Sequence, residues 1–128
     1  MVELTINGRS VAVPEGTTVL EAARLLGIHL PTLCYLEGLK PYGGCRLCLV
    51  EVTSQDRTQI TTSCTFPVAE GLQVQTDTEE IREARRFVMD LLLSRCPEVP
   101  ALQEMARQLE LDQPSFPRGD RDCILCGR

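Results

Sequence analysis

Alternating apolar and polar residues at the start of the chain predict a β-hairpin. Residues 2–6 and residues 10–13 each alternate with a period of two, and the pair Asn7-Gly8 lies between them. This period is typical of half-buried strands, and Asn-Gly is the strongest short hairpin signal. The sequence therefore predicts two antiparallel strands joined by a tight turn.

A change to helical spacing predicts a helix over residues 18–26. Thr18 and Glu21 have the spacing of a capping box, and Gly27 stands where a left-handed C-terminal cap is expected. Residues 31–44 contain Pro, Gly and aromatic residues without a regular period, which indicates a loop.

Three further segments with strand character complete a small mixed sheet. They are residues 48–52, a segment near Ile60, and residues 72–75. Two strands, a helix, a loop and then more strands are the order expected of an α+β domain, which we place at residues 1–78.

The last third of the chain predicts a helical extension over residues 79–128. Its first helix is capped by Asp77 or Thr78 and is expected to end near Ser94, and a second helix is expected from Pro100. On the first of these helices, the predicted inward residues are Ile81, Ala84, Val88 and Leu91, and the predicted outward residues are Arg82, Glu83, Arg85 and Arg86.

Composition and charge narrow the classes of function. The net charge of -5 argues against nucleic acid as a partner, because phosphate binding needs a basic surface. No apolar run exceeds about four residues, whereas a membrane-spanning helix needs roughly 20, so no direct membrane insertion is expected. The chain begins Met1-Val2-Glu3, with an acidic residue where a secretory signal has basic ones, which predicts a cytoplasmic location.

Seven cysteines are the unusual feature of the composition. In the reducing cytosol, structural disulfides are rare, so cysteines there indicate metal binding, catalysis or simple burial. They fall into two groups, which are Cys34, Cys45, Cys48 and Cys64 in the first and Cys96, Cys123 and Cys126 in the second.

The first group has the spacing Cys-x10-Cys-x2-Cys-x15-Cys. Four thiolates are the number that a [2Fe–2S] cluster needs, two for each iron. A pair separated by two residues, here Cys45 and Cys48, lets both sulfurs point at the same centre.

The backbone around this pair is suited to an anionic cluster. Gly43 and Gly44 can take positive φ and bring main-chain N–H donors close to the cluster without a Cβ clash. Arg46 lies between the paired cysteines, and we expect its backbone to face the cluster and its side chain to be exposed.

Two other chemistries use cysteines in related patterns. A structural zinc site usually pairs two short Cys-x2–4-Cys hooks, whereas the first group has one. A thioredoxin-like redox pair needs a strand-to-helix context, whereas a predicted strand follows Cys48. A zinc-stabilised interaction module and a redox pair therefore remain alternatives to the iron–sulfur cluster.

The chain, up to about residue 93, resembles the N-terminal [2Fe–2S] module of the iron–sulfur subunits of respiratory complex I, NAD-linked hydrogenases and iron-only hydrogenases. The matching stretches are residues 15–23, 28–35, 44–52, 62–65 and 85–93. The resemblance implies a β-grasp, plant-type ferredoxin-like fold. It also implies that the cluster ligands are Cys34, Cys45, Cys48 and Cys64.

The second group of cysteines departs from these relatives. Their helix leads into a His-x3-Cys-x2-Cys-x5-Cys segment that binds a [4Fe–4S] cluster, but the one histidine here is His29, so that His-ligated cluster cannot form. Cys123 and Cys126 look like the opening of a bacterial ferredoxin run, and Cys96-Pro97 resembles its remote Cys-Pro. These three cysteines either bind a [4Fe–4S] cluster, share a metal with a partner subunit, or bind nothing.

The function that the resemblance implies is electron transfer. We expect one [2Fe–2S] cluster in a subunit of an NAD(P)H-, hydrogen- or formate-linked oxidoreductase, with flavoprotein and catalytic subunits as partners. The sequence has no Rossmann glycine fingerprint, acid–base pair or nucleophile arrangement, so the chain is expected to catalyse nothing alone. A free, diffusible ferredoxin is the alternative from another class.

Overall fold

A five-stranded mixed sheet and three helices make up the described part of the chain, which is residues 1–112 and 114–116 of the computed structural model. The strands are β1 (Val2–Ile6), β2 (Arg9–Val13), β3 (Leu49–Ser54), β4 (Arg57–Thr62) and β5 (Gln73–Gln75). The helices are α1 (Val19–Leu25), α2 (Glu79–Arg95) and α3 (Pro100–Gln108). The sheet order is β2-β1-β5-β3-β4, with β1 and β5 parallel and the other neighbours antiparallel. The predicted α+β, β-grasp fold is confirmed.

The predicted hairpin turn also ties the two ends of the sheet domain together. Asn7 and Gly8 have φ values of 51° and 79°, as a type I′ turn requires. The Asn7 side chain donates to Thr76 Oγ1 at 2.7 Å and accepts from the Thr76 backbone N–H at 2.9 Å. The first turn is thereby fixed to the residue that follows β5.

Helix α1 forms at the predicted cap and packs on the sheet. Thr18 Oγ1 accepts the Glu21 N–H at 3.3 Å, and Glu21 Oε2 accepts the Thr18 N–H at 2.7 Å, which is the reciprocal capping box. Gly27 follows the helix with a φ of 72°, as predicted. The main residues of this first core are Leu4, Ile6, Val13, Val19, Leu20, Ala22, Ala23, Val50, Val52, Leu72 and Val74.

Helices α2 and α3 enclose a second core, which reaches the loop before β3. Its buried members are Leu47, Met89, Leu93, Cys96, Leu102 and Ala106. Leu47 comes from that loop and is fully buried among the helix side chains. None of the three helices in the described part of the chain is long and apolar enough to cross a bilayer.

The inward face of α2 differs from the predicted one at two positions. Arg85 is predicted to face solvent, yet it is only 6% exposed, and Leu91 is predicted to face inward, yet it is 45% exposed. The buried side chains follow an i, i+4 row that includes Ile81, Arg85 and Met89. Arg85 can occupy this row because its guanidinium finds buried carbonyl acceptors.

The predicted boundary between residues 78 and 79 falls directly before α2. Thr78 is the N-cap, and its Oγ1 accepts the Ile81 N–H at 3.2 Å, while Asp77 pairs with Arg82 at 2.6 Å. The division into two domains stays a prediction. Helix α2 packs on the loop that precedes β3, which lies in the first of the two predicted domains.

The corrected face of α2 can be tested by a pair of substitutions on the same helix. Met89→Ala removes a fully buried side chain from the second core and should lower the free energy of unfolding by about 2–5 kcal/mol. Leu91→Ala, on the exposed side, should change it by less than about 0.5 kcal/mol. Urea unfolding of both variants and the wild type measures this difference. A larger loss of unfolding free energy in Leu91→Ala than in Met89→Ala would instead support the inward face that the sequence predicts.

Candidate functional site

Two segments bring the first group of cysteines to one end of the β3–β4 pair. Cys34 lies in the long loop after α1, Cys45 and Cys48 lie at the end of that loop just before β3, and Cys64 follows β4. Cys48 and Cys64 are buried, whereas Cys34 and Cys45 are half-buried. Strands β3 and β4 are paired at this end, with Leu49 opposite Thr62.

Ser63 joins the two segments directly. Its backbone N–H donates to the Cys48 carbonyl at 3.0 Å, and its hydroxyl donates to the same oxygen at 2.7 Å. The Ser63 carbonyl accepts the N–H of Leu20, in the first turn of α1, at 3.0 Å. The position of Cys64 is therefore set by both β3 and α1.

Backbone N–H groups of the loop point at the thiol sulfurs. The Cys45 N–H donates to Cys34 Sγ at 3.5 Å. Burial raises the pKa of Cys34, but hydrogen bonds from Cys45 and Gly44 lower it by more, so that it lies below its ordinary value. For Cys45, burial raises the pKa by more than the Leu47 N–H lowers it.

The pKa of the Cys64 thiol shows the effect of placing several thiols close together. Burial, followed by the proximity of Cys48 and then of Cys34 and Cys45, raises the pKa of Cys64 to about 12. Thiols that share one site cannot all ionise unless a cation compensates their negative charges. A thiophilic metal bound among the cysteines would supply that compensating charge.

The spacing of the thiols bears on which metal fits. Among the described residues, no three Cys, His, Asp or Glu side chains come close enough together to bind a single metal ion. A structural zinc ion needs four ligands around one point, whereas a [2Fe–2S] cluster divides its thiolates between two irons. Four cysteines are the number of ligands that either centre uses.

The predicted glycines leave no room for side chains beside the cysteines. Gly43 is buried with a φ of 68°, and a Cβ there would lie 3.0 Å from Thr62 Oγ1. A Cβ on Gly44 would collide with the ring of Tyr42. Arg46 also has positive φ, 62°, and an exposed side chain, as expected. A tight loop rich in N–H donors is what an anionic cluster requires.

Arg85 is the residue of this site that the sequence reasoning missed. Its Nε donates to the Leu47 carbonyl at 3.1 Å, and its Nη2 donates to the Leu49 carbonyl at 2.5 Å, so the guanidinium bonds on either side of Cys48. Burial lowers the pKa of Arg85, and the charges of Asp77 and Cys48 act in the opposite direction. The i, i+4 row on α2 was the signal that could have revealed it.

Cys34 has an anchor of its own on α1. The guanidinium carbon of Arg24 lies 4.7 Å from the ring centroid of Tyr35, which is the neighbour of Cys34. A cation–π contact of this kind holds the ring against the helix. The start of the long loop is therefore attached to α1.

One member of the second group of cysteines, Cys96, lies among the described residues. Cys96 is fully buried in the second core, at the end of α2. Cys123 and Cys126 lie outside the described residues, so a [4Fe–4S] cluster at these positions stays a prediction. His29 is exposed on the loop after α1.

Comparisons with known proteins place the site in context. A family model described as a 2Fe-2S iron-sulfur cluster binding domain matches residues 1–79. NADPH-Fe(3+) oxidoreductase subunit alpha of Geobacter sulfurreducens is 44% identical over 97 residues, which are 76% of this chain and 11% of that protein. The mitochondrial NADH-ubiquinone oxidoreductase 78 kDa subunit of Candida albicans is 40% identical over 96 residues, 75% of this chain and 13% of that protein.

A solved structure extends the likeness beyond the matched segment. The crystal structure of an NAD+-reducing [NiFe]-hydrogenase in the H2-reduced state contains a chain with a TM-score of 0.84 and 28% identity to this one. The match covers 98% of this chain and 63% of that chain. The chain spans only 11% and 13% of the two curated relatives.

The tightness of the loop can be tested at its buried glycine. Gly43→Ala forces a side chain into a left-handed conformation, which costs about 1–2 kcal/mol, and adds a close contact with Thr62. Gly38→Ala is the matched control, because Gly38 has a φ of 87° with open space around it. We expect Gly43→Ala to lower the free energy of unfolding more, as measured by urea denaturation. Equal losses would show that the contact with Thr62 carries no energy.

Proposed function

The chain belongs to the family of 2Fe-2S iron–sulfur cluster binding domains, and on that premise we propose that it is an electron-transfer subunit of a multi-subunit oxidoreductase that uses NAD(P)H or hydrogen. We propose that its [2Fe–2S] cluster is bound by Cys34, Cys45, Cys48 and Cys64. The observation that carries this proposal is geometric: at one end of the β3–β4 pair, the Cys45 N–H bonds to Cys34 Sγ, and Ser63 joins the segments of Cys48 and Cys64.

The loop residues would stabilise the thiolate form of the ligands. When bound, a [2Fe–2S] cluster supplies a one-electron redox couple. The N–H groups of Gly44 and Cys45 already favour the ionised form of Cys34, and the Leu47 N–H acts in the same sense on Cys45. Rigid donors of this kind need little rearrangement when charge is added, which favours fast electron transfer.

Burial differs between the two sides of the site. Cys48 and Cys64 belong to the first core, and Cys45 packs against the second. Cys34 and Cys45 keep part of their surface exposed. We propose that electrons enter and leave on the side of Cys34 and Cys45, where a partner's redox centre can approach.

The surface of the chain supports a role inside an assembly. Leu36 and Leu39, close to Cys34 in the sequence, are 62% and 53% exposed, and Phe87 and Leu91 on α2 are 57% and 45% exposed. Exposed apolar residues of this size mark surfaces that contact other proteins. The relatives named above are themselves called subunits. We propose flavoprotein and catalytic subunits as the partners, in the cytoplasm, where thiols stay reduced.

The ligand set is tested by single Cys→Ser substitutions. Replacing any of the four proposed ligands should lower iron and acid-labile sulfide per chain and weaken the visible absorption bands, because cluster binding and loop folding are coupled. Cys96→Ser is the matched control, since Cys96 is equally buried but lies in the second core. It should leave the [2Fe–2S] bands unchanged.

Two outcomes would contradict this ligand set. One is a Cys64→Ser variant with full, unshifted absorption. The other is a Cys96→Ser variant that loses the bands. Zinc in place of iron in the purified protein would support the interaction module instead.

The electron-transfer role predicts what the purified chain does alone. It should accept one electron per cluster from dithionite and give the EPR signal of a reduced [2Fe–2S] centre. It should not be reduced by NADH, because the sequence offers no dinucleotide-binding fingerprint. Adding a flavoprotein partner should make NADH effective, and direct reduction of the flavin-free chain by NADH would overturn the assignment.

A further inference from the structure

Arg85 places a buried positive charge behind the cysteine loop. The residue is 6% exposed, and its two hydrogen bonds go to backbone carbonyls and not to a carboxylate. A buried cation is costly unless an anion compensates it. Its compensating anion must therefore lie elsewhere in the surroundings of the guanidinium.

The carboxylates near α2 supply it only in part. In the described part of the chain, the ion pairs are Arg82–Asp77 and Arg107–Glu104, and neither includes Arg85. Asp77 is the larger of the two negative groups that act on Arg85, but its side chain is 61% exposed and bonded to Arg82. The other negative group that acts on Arg85 is Cys48.

The hydrogen bonds fix this charge relative to Cys48. The carbonyls of Leu47, Cys48 and Leu49 belong to three successive peptide units. The first and the third of these carbonyls accept hydrogen bonds from the same guanidinium. Because the N–H and C=O of one peptide unit point in opposite directions, a cation on the Leu47 carbonyl also polarises the Cys48 N–H. The fork therefore positions the loop and adds positive potential to it.

We propose that Arg85 raises the redox potential of the [2Fe–2S] cluster, because its buried charge at Cys48 stabilises the reduced form. This rests on the proposed function, in which Cys48 is a ligand. One electron entering the cluster adds one negative charge, and an adjacent cation that solvent cannot screen favours that form. Arg85 bonds to the backbone on either side of Cys48, so it is a positioning residue that acts through the loop.

The proposal extends the site beyond the matched family segment. That segment ends at residue 79, whereas Arg85 lies in the second turn of α2. Helix α2 would then contribute to the electrochemistry of the centre as well as to packing.

Three variants of the full chain test this. Arg85→Gln removes the charge, Arg85→Lys keeps the charge and loses the fork, and Arg86→Gln removes a neighbouring charge from the exposed face of the same helix. The midpoint potential is measured by mediated titration followed by visible absorption and EPR, at low and high salt. Iron and sulfide per chain are measured on every sample.

We expect Arg85→Gln to shift the midpoint to more negative values, with at least a tenfold lower ratio of reduced to oxidised cluster at a fixed potential, which is about 59 mV for one electron. Arg85→Lys should retain most of the wild-type potential. Arg86→Gln should shift it less, and high salt should remove that shift but not the Arg85→Gln shift.

An unchanged potential in Arg85→Gln would overturn the proposal, as would an Arg85→Lys variant that shifts as far as Arg85→Gln. If Arg85→Gln fails to keep the cluster, retention by Arg85→Lys supports the role of the charge, and loss in both variants assigns Arg85 to loop geometry alone and overturns the proposal. Wild-type protein without iron would instead overturn the proposed function itself.

Discussion

Four cysteine thiols lie at one end of the β3–β4 pair, and ionising all of them would bring like charges together, which much of this structure counteracts. The pKa of Cys64, raised to about 12, expresses the cost of removing the last proton without a metal. Main-chain N–H groups lower the cost at Cys34, and the tight glycine loop allows them to approach. The metal itself supplies the remaining positive charge. Without the N–H groups and the metal, the cysteines would stay protonated, and nothing would favour a loop conformation that holds them close together.

Neighbouring residues of the loop belong to different cores. Leu47 is buried among the side chains of α2 and α3, and Cys48 is buried with the sheet and α1. The backbone between them is therefore held from both sides, which restricts the movement of the Cys45–Cys48 pair. Restriction of this kind preorganises a metal site, because fewer conformations are lost on binding.

Local signals predicted most of the fold. The Asn7-Gly8 turn and the Thr18 capping box depend on residues within a few positions of each other, and both form as predicted. The burial of Arg85 had one local signal, its place on the i, i+4 row with Ile81 and Met89, but its acceptors lie 38 and 36 residues away in the sequence and could not be predicted. The predicted burial of Leu91 was wrong for a related reason. An apolar residue on α2 does not by itself indicate which face of the helix the loop will cover. The cysteine spacing predicted the candidate site but not the buried guanidinium of Arg85 beside it.

The contact between Leu47 and the helices has a consequence for modularity. The family segment ends at residue 79, yet the Leu47 side chain and the carbonyls of Leu47 and Leu49 find their partners on α2 and α3. A chain cut before α2 would expose that leucine to water and leave both carbonyls without their donor. The segment that the family model matches is thus incomplete as an energetic unit, and grafting it into another protein requires the first helix of the extension as well.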